Sequence, residues 1–406
     1  MPQVSLKGQQ LPLSPIRKLT PYADAAKRSG VKVYHLNIGQ PDLPTPQKAL
    51  DALRAYDAKT LSYTASQGIL PLRQALQRYY KRFGIDLALD EMIVTTGGSE
   101  ALLFAFMACL NPGDEIIMTE PTYANYLTFA KLAGVTVRSV TSKIEDGFSL
   151  PDITEYEKAI TPSTRAILLS NPNNPTGYVY TRAELMKIRD IVLKHDLFLI
   201  SDEVYREFVY YKEPFVSALS LPGLEQHSVL IDSMSKRYSE CGIRIGCVAS
   251  RNGKLMEAML KFAQSRLSPP LLGQIVAEAS IDGTEEYSKA CYVEYKARRD
   301  YFIKAINEIP GVFSPNPHGA FYTVANLPVD DAEDFCRWML TDFVYRDGTH
   351  PGGETVMMAP AAGFYSSPSH GRNQVRMAYV LQIPDLERAV MILRAGLEAY
   401  AATHQK

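Results

Sequence analysis

At 406 residues, 46% hydrophobic and 21% charged, the chain is long enough to bury a large core and favours two domains over one. A formal net charge of -1 supplies no electrostatic excess with which to hold nucleic acid or an acidic membrane, so neither partner is expected. Five cysteines without a CxxC pair and seven scattered histidines form neither a disulfide framework nor a metal-ligand spacing, which points to a reducing cytoplasm and to no metal.

The chain opens MPQVSLKGQQLPLSP, with no basic segment leading into an apolar one, and so does not read as a signal peptide. Residues 1–46 are rich in Pro and Gly and are expected to edge the active site while packing against a second domain. From about Leu50 to Ser250, helical stretches alternate with the β-branched runs MIVTT, DEIIMT, VTVRSV, RAILLS, LFLISDE, SVLIDS and RIGCVAS. That alternation predicts an α/β fold, with a large domain at 47–285 built on a mostly parallel sheet flanked by helices. The apolar run Ala101 to Leu110 falls short of the roughly 20 residues that cross a bilayer and predicts a buried helix. After about Ser280 comes a long charged helical stretch, EEYSKACYVEYKARRDYFIKAINEI, followed by Pro/Gly-rich turns between short strands. A smaller α+β domain, 286–406, joined by the N-terminal arm, is expected there.

In such sheets ligands bind beyond the carboxyl ends of the strands, and the informative residues follow strands. In TTGGSEALL, two glycines precede a helix whose first N–H groups are free, which makes either an anion site or a tight turn with an N-cap. The GxGxxG and GxxxxGK[ST] spacings are absent, against dinucleotide and P-loop readings. In SNPNNPTG, Asn174 could donate to a ring substituent or serve only the turn. Asp202 ends the apolar strand LFLISD, where an unpaired carboxylate is costly and calls for a cation, either an arginine or a protonated pyridine nitrogen. Tyr205, three residues on, could reach the same ligand. In DSMSKRYSECGIRIG, Ser233 and Arg244 bracket Lys236. Serine, arginine and a helix N-terminus suit a phosphate, and a lysine beside them could attack a carbonyl carbon. The plainer alternative is a solvated Lys236 and a surface Arg244. Cys241 and Cys247 read as small core residues.

Taken in order, IGQPDLPTP, SYTASQGILPLR, TTGGSEAL, EPTYANY, NPNNPTG, SDEVYREF, SMSKRYSECGIRIG, PHGAFY and NQVRMAY resemble the class I/II aminotransferases of the fold-type I pyridoxal-phosphate family, aspartate aminotransferase-like, over nearly the whole chain. The resemblance implies pyridoxal 5'-phosphate held as a Schiff base on Lys236, with Ser233, Arg244 and the backbone of Gly98 and Ser99 as the phosphate cup. It places Asp202 on the pyridine nitrogen, Tyr205 and Asn174 on the ring hydroxyl and Tyr123 on the ring face. Lys236, Asp202 and Tyr205 would carry the chemistry. Arg376 would grip the substrate α-carboxylate, with Gly39 and Asn174 beside it. Tyr63 would reach the phosphate in a neighbouring subunit, which implies a homodimer with shared active sites. The implied activity is ping-pong transfer of an amino group from an L-amino acid to a 2-keto acid such as 2-oxoglutarate.

The segment AAGFYSSPSHGRNQVRMAY, bordering Arg376, departs from the commoner family form and leaves substrate choice open. Arg266, in QSRLSPPLLGQ, is either a salt bridge beneath the cofactor region or a cation approaching the partner's site that favours aspartate or glutamate. Carbon–sulfur β-elimination on the same scaffold is the alternative activity. A ligand-sensing regulatory protein is disfavoured, since no helix-turn-helix or basic patch accompanies the full set of chemical residues.

Overall fold

The computed structural model describes residues 2–11, 13–367 and 369–404. Its strands are β1 (Lys32–His35), β2 (Met92–Thr95), β3 (Glu115–Glu120), β4 (Thr136–Thr141), β5 (Thr164–Ser170), β6 (Phe198–Asp202), β7 (Ser228–Ser233), β8 (Gly246–Ala249), β9 (Tyr322–Asn326), β10 (Glu354–Met357), β11 (Ala359–Pro360) and β12 (Gln374–Ala378). The seven β-branched runs become one seven-stranded sheet, ordered β2-β8-β7-β6-β5-β3-β4. Only β8 runs against its neighbours; the other pairings are parallel.

Alternate residues of each strand enter different cores because successive side chains point to opposite faces. Ile93 of β2 joins Phe104 and Phe106 of the helix Gly97–Cys109, whereas Met92 and Val94 join Leu72, Leu76 and Tyr79 of the helix Leu70–Lys81. With both faces covered, β3, β5, β6 and β7 bury nearly every position and read as nearly continuous apolar runs, whereas the edge strand β4 leaves Thr136 and Arg138 exposed. The helix Gly97–Cys109 takes up the Ala101 to Leu110 run as far as Cys109, with Leu110 as its extended C-cap, and buries Ala101, Leu102, Phe104, Ala105 and Phe106. Local chemistry sets other helix starts: Thr181 and Glu184 form a capping box that opens Arg182–His195.

Beyond the large sheet, β1 pairs in parallel with β10, tying the N-terminal segment to the C-terminal part of the chain. Strands β11, β12 and β9 form an antiparallel sheet. The long helices Glu285–Asn307 and Ile383–His404 pack with these strands around Phe302, Ile306, Met377 and Leu393. Tyr205, Phe208 and Tyr210, on the loop leaving β6, join this second core. The segment that starts at the end of the large sheet thus anchors the second core, and the cavity described next lies at that seam. Among the described residues, no helix is long and apolar enough to cross a membrane.

Candidate active site

A cavity of about 360 Å³ opens at the carboxyl ends of the parallel strands. It brings together Gly39, Gly98, Ser99, Tyr123, Asn174, Asp202, Tyr205, Ser233, Lys236, Arg244 and Arg376. Two residues singled out from sequence lie outside it. Tyr63 is 79% exposed on the surface. Arg266 sits beneath the start of helix Gly97–Cys109, its Nε 3.2 Å from Glu100 and its Nη2 donating to the carbonyls of Ser66 and Val94 at 3.3 and 3.1 Å.

One end of the cavity is built for an anion. Ser233 and Thr95, at the carboxyl ends of β7 and β2, both pair with Gly246 at the amino end of β8. The reversed direction of β8 therefore delivers Arg244, just before it, to the end where the turns after β2 and β7 emerge. Gly246 leaves no clearance: an added Cβ would lie 2.5 Å from the Gly97 carbonyl carbon and 2.7 Å from the Gly98 nitrogen. Gly97 adopts φ +73° and packs under the Arg244 guanidinium, 2.5 Å from where a Cβ would stand. Arg244 donates to the Cys241 carbonyl at 3.0 Å, and the Ser235 N–H donates to Ser233 Oγ at 3.2 Å. Free N–H groups at a helix start, two hydroxyls and a guanidinium converge there.

Lys236 lies on the short helix Met234–Arg237 and reaches back into the cavity, donating to the Gly39 carbonyl at 3.0 Å. Its Nζ is 3.7 Å from Cys241 Sγ. Cys241 is consequently a partly exposed residue at the cavity edge, not a core residue; Cys247, in β8, is buried. Asp202 ends β6 facing the cavity. It accepts from the Tyr126 hydroxyl at 2.5 Å and from the Val204 N–H at 3.3 Å. Burial, the dominant influence, raises its carboxyl to about 6. Among the described residues no arginine, lysine or histidine forms an ion pair with it, so the arginine alternative is not what the structure holds. Tyr205 shares a 3.0 Å hydrogen bond with the Tyr322 hydroxyl. Burial holds the Tyr205 phenol well above its ordinary range, so it stays a neutral donor.

Opposite stands Arg376, in β12 and 1% exposed. One Nη donates to Asn174 Oδ1 at 3.2 Å and the other to the Asn37 carbonyl, while Nε has no partner. The guanidinium lies 4.6 Å from the Tyr322 ring centroid and 5.1 Å from that of Phe364. Burial pulls its pKa down. A buried guanidinium without a carboxylate is costly, and this one lines the cavity with its Nε unpaired. Phe364 belongs to the divergent segment that borders Arg376; Pro368 in that segment lies outside the described residues.

Sequence reading missed Tyr126, Tyr322, Asn37 and Arg17. The first two lie in EPTYANY and PHGAFY, and Asn37 stands two residues before Gly39, but nothing local distinguishes their side chains from core residues.

The residues fit pyridoxal phosphate on an observation independent of any likeness. A buried carboxylate lacking a cation, a lysine amine and an anion cup border one cavity, matching a basic ring nitrogen, a carbonyl carbon and a phosphate. Among the described residues no group of three or more His, Cys, Asp or Glu could hold a metal. A family model described as aminotransferase class I and II matches residues 31–359. The aspartate aminotransferase of Rhizobium meliloti is 30% identical over 403 residues, covering 95% of this chain and 93% of its own. The solved aspartate aminotransferase of Thermus thermophilus with maleate is similar at a TM-score of 0.86 and 27% identity, covering 98% of this chain and 100% of that one. The alanine aminotransferase of Pyrococcus furiosus is similar at a TM-score of 0.88 and 29% identity, again covering 98% and 100%.

Proposed function

The chain belongs to the class I and II aminotransferases and is a pyridoxal-phosphate-dependent transaminase, and from that premise we propose how its own residues move the amino group. Pyridoxal phosphate, when bound, supplies a sink for the electron pair left at the substrate α-carbon. Lys236 would hold the cofactor's carbonyl carbon through Nζ. The Lys236 amine would serve as general base for the proton on the substrate α-carbon and then as the general acid that gives it back. Asp202 would keep a proton on the ring nitrogen by offering the negative charge it otherwise holds uncompensated. Tyr205 and Asn174 would hold the ring hydroxyl, and Tyr123 would cover the ring face. Ser233, Arg244 and the N–H groups of Gly98 and Ser99 would fix the phosphate.

Arg376 takes the α-carboxylate in a planar fork, with Asn174 and the Gly39 backbone beside it. The observation that carries this reading is that two buried charges without an ion-pair partner, Arg376 and Asp202, line the same cavity as Lys236.

The donor we propose is aspartate or glutamate, with 2-oxoglutarate as acceptor; relatives named for aspartate and for alanine transfer both match this chain. The exposure of Tyr63 supports a homodimer in which it enters the partner's phosphate site. We also propose the division into an arm 1–46, a large domain 47–285 and a small domain 286–406, which the pairing of β1 with β10 supports. Five free cysteines accord with a reducing cytoplasm.

The test is a half-reaction: the holoenzyme receives one amino acid without any keto acid, and the released keto acid is counted per active site. One equivalent is expected, with turnover only when a second keto acid is added. Catalytic release of ammonia and pyruvate without acceptor would identify elimination instead, which the aminotransferase relatives do not favour.

A further inference from the structure

Four basic side chains line the cavity among the described residues: Arg17, Lys236, Arg244 and Arg376. The proposed reaction engages three of them, through the cofactor's carbonyl carbon, its phosphate and the substrate α-carboxylate. Arg17 is left over. It is exposed and takes no ion pair or side-chain hydrogen bond among the described residues, whereas its neighbour Lys18 pairs with Glu333.

The turn that carries Arg17 is nonetheless firmly placed. Its amide donates to the Ser14 carbonyl at 3.0 Å, and that of Lys18 to the same carbonyl at 2.8 Å. Pro15 packs so closely on Gly363 that a Cβ there would lie 2.5 Å from the proline ring. Ile16 packs against the cluster containing Phe364. The fully buried Asn37 donates its side-chain amide to the Ile16 carbonyl at 2.9 Å, and its own carbonyl accepts from Arg376. One residue therefore ties the Arg17 turn to the guanidinium proposed for the α-carboxylate. Tyr123, whose phenol burial lifts to about 12, feels the positive charges of both Arg376 and Arg17, so both guanidinium groups lie within electrostatic reach of its hydroxyl.

We propose that Arg17 is the specificity-determining cation that receives the side-chain carboxylate of a dicarboxylic amino or keto acid, in place of Arg266, which Glu100 and two carbonyls already occupy. This rests on the aminotransferase reading and names the substrate class for that same site. With Arg376 taken by one carboxylate, the second needs another cation, and among the described residues that line the cavity Arg17 is the one left unengaged.

The experiment compares holoenzymes of the wild type, Arg17→Gln, Arg17→Lys and, as a charge-matched control on the exposed end of the neighbouring helix, Arg28→Gln. Two readouts are taken: kcat/KM for aspartate and for alanine in the half-reaction, and the dissociation constant of succinate, an unreactive dicarboxylate, by calorimetry. Loss of one charge-assisted hydrogen bond at a partly exposed site lowers affinity about tenfold. Arg17→Gln should therefore lower the aspartate-to-alanine ratio about tenfold through KM, and weaken succinate by a similar factor. Arg17→Lys should recover part of both, and Arg28→Gln should match the wild type. An unchanged ratio and unchanged succinate affinity in Arg17→Gln, while the wild type still releases keto acid, would overturn the proposal. Wild-type protein that releases keto acid from no amino acid would overturn the aminotransferase reading beneath it.

Discussion

Replacing Asp202 by asparagine should stabilise the cofactor-free protein while disabling the enzyme. The carboxylate is 8% exposed and has two hydrogen-bond donors but no cation. Burial lifts its carboxyl from 3.8 to about 6, so the folded protein binds this proton more tightly than the unfolded chain. The sign follows: relative to this group stability is highest below about pH 4, falls as pH rises towards 6, and stays low above it. At roughly 1.4 kcal/mol per tenfold, the standing cost near neutrality is about 3 kcal/mol. Asparagine removes it while keeping an oxygen for the Val204 N–H. Urea unfolding of the cofactor-free proteins should show the variant more stable by about 3 kcal/mol at pH 8, shrinking to about half that at pH 5. With pyridoxal phosphate bound the ordering should reverse, because only the carboxylate gains a cationic partner. A cofactor-free variant less stable than the wild type at pH 8, or an advantage that does not shrink with acid, would refute the reasoning.

Two further substitutions separate substrate binding from scaffolding. Arg376→Lys replaces a fork that reaches Asn174, Asn37 and the cavity by a point charge, and should raise KM for amino and keto acids by about ten- to a hundredfold in steady-state assays. Arg266→Ala strips Glu100 of its cation at a site where both side chains are about 15% exposed. It should cost about 2 kcal/mol in urea unfolding and leave the aspartate-to-alanine ratio unchanged; a changed ratio would restore Arg266 as a selector.

Much of this architecture was legible because strands buried on both faces write nearly continuous apolar runs, and each β-branched run, the edge strand from VTVRSV included, became a strand of the large sheet. The order of those strands was not legible. Nothing in RIGCVAS marks β8 as the reversed strand between β2 and β7, since pairing is settled by long-range packing rather than by local pattern. In the site, residues that follow strands were readable because polar groups interrupt apolar sequence there: Asp202 after FLIS, Lys236 after VLIDS. Tyr126 and Tyr322 escaped because a tyrosine in a helix or strand has the same local signature whether its hydroxyl serves a ligand or fills a core. Arg266 was undecidable because its partner Glu100 stands 166 positions earlier, a proximity created only by folding. The departure of Cys241 from the core has the same origin, since the loop that carries it turns at the cavity rim.

The tight seat of Gly246 bears on what the anion cup can accept. With backbone pressed on backbone between β8 and the turn at Gly97 and Gly98, the gap is gauged by the thickness of the peptide unit itself. No side chain acts as a spacer there, so no substitution of one side chain for another can widen the opening by a small step. The alternatives are the present bore or a sheared sheet. Size discrimination against a bulkier anion is then a property of main-chain geometry, while variation in substrate falls to the far rim, where Arg17 and the segment before Arg376 rest on side chains that can be exchanged.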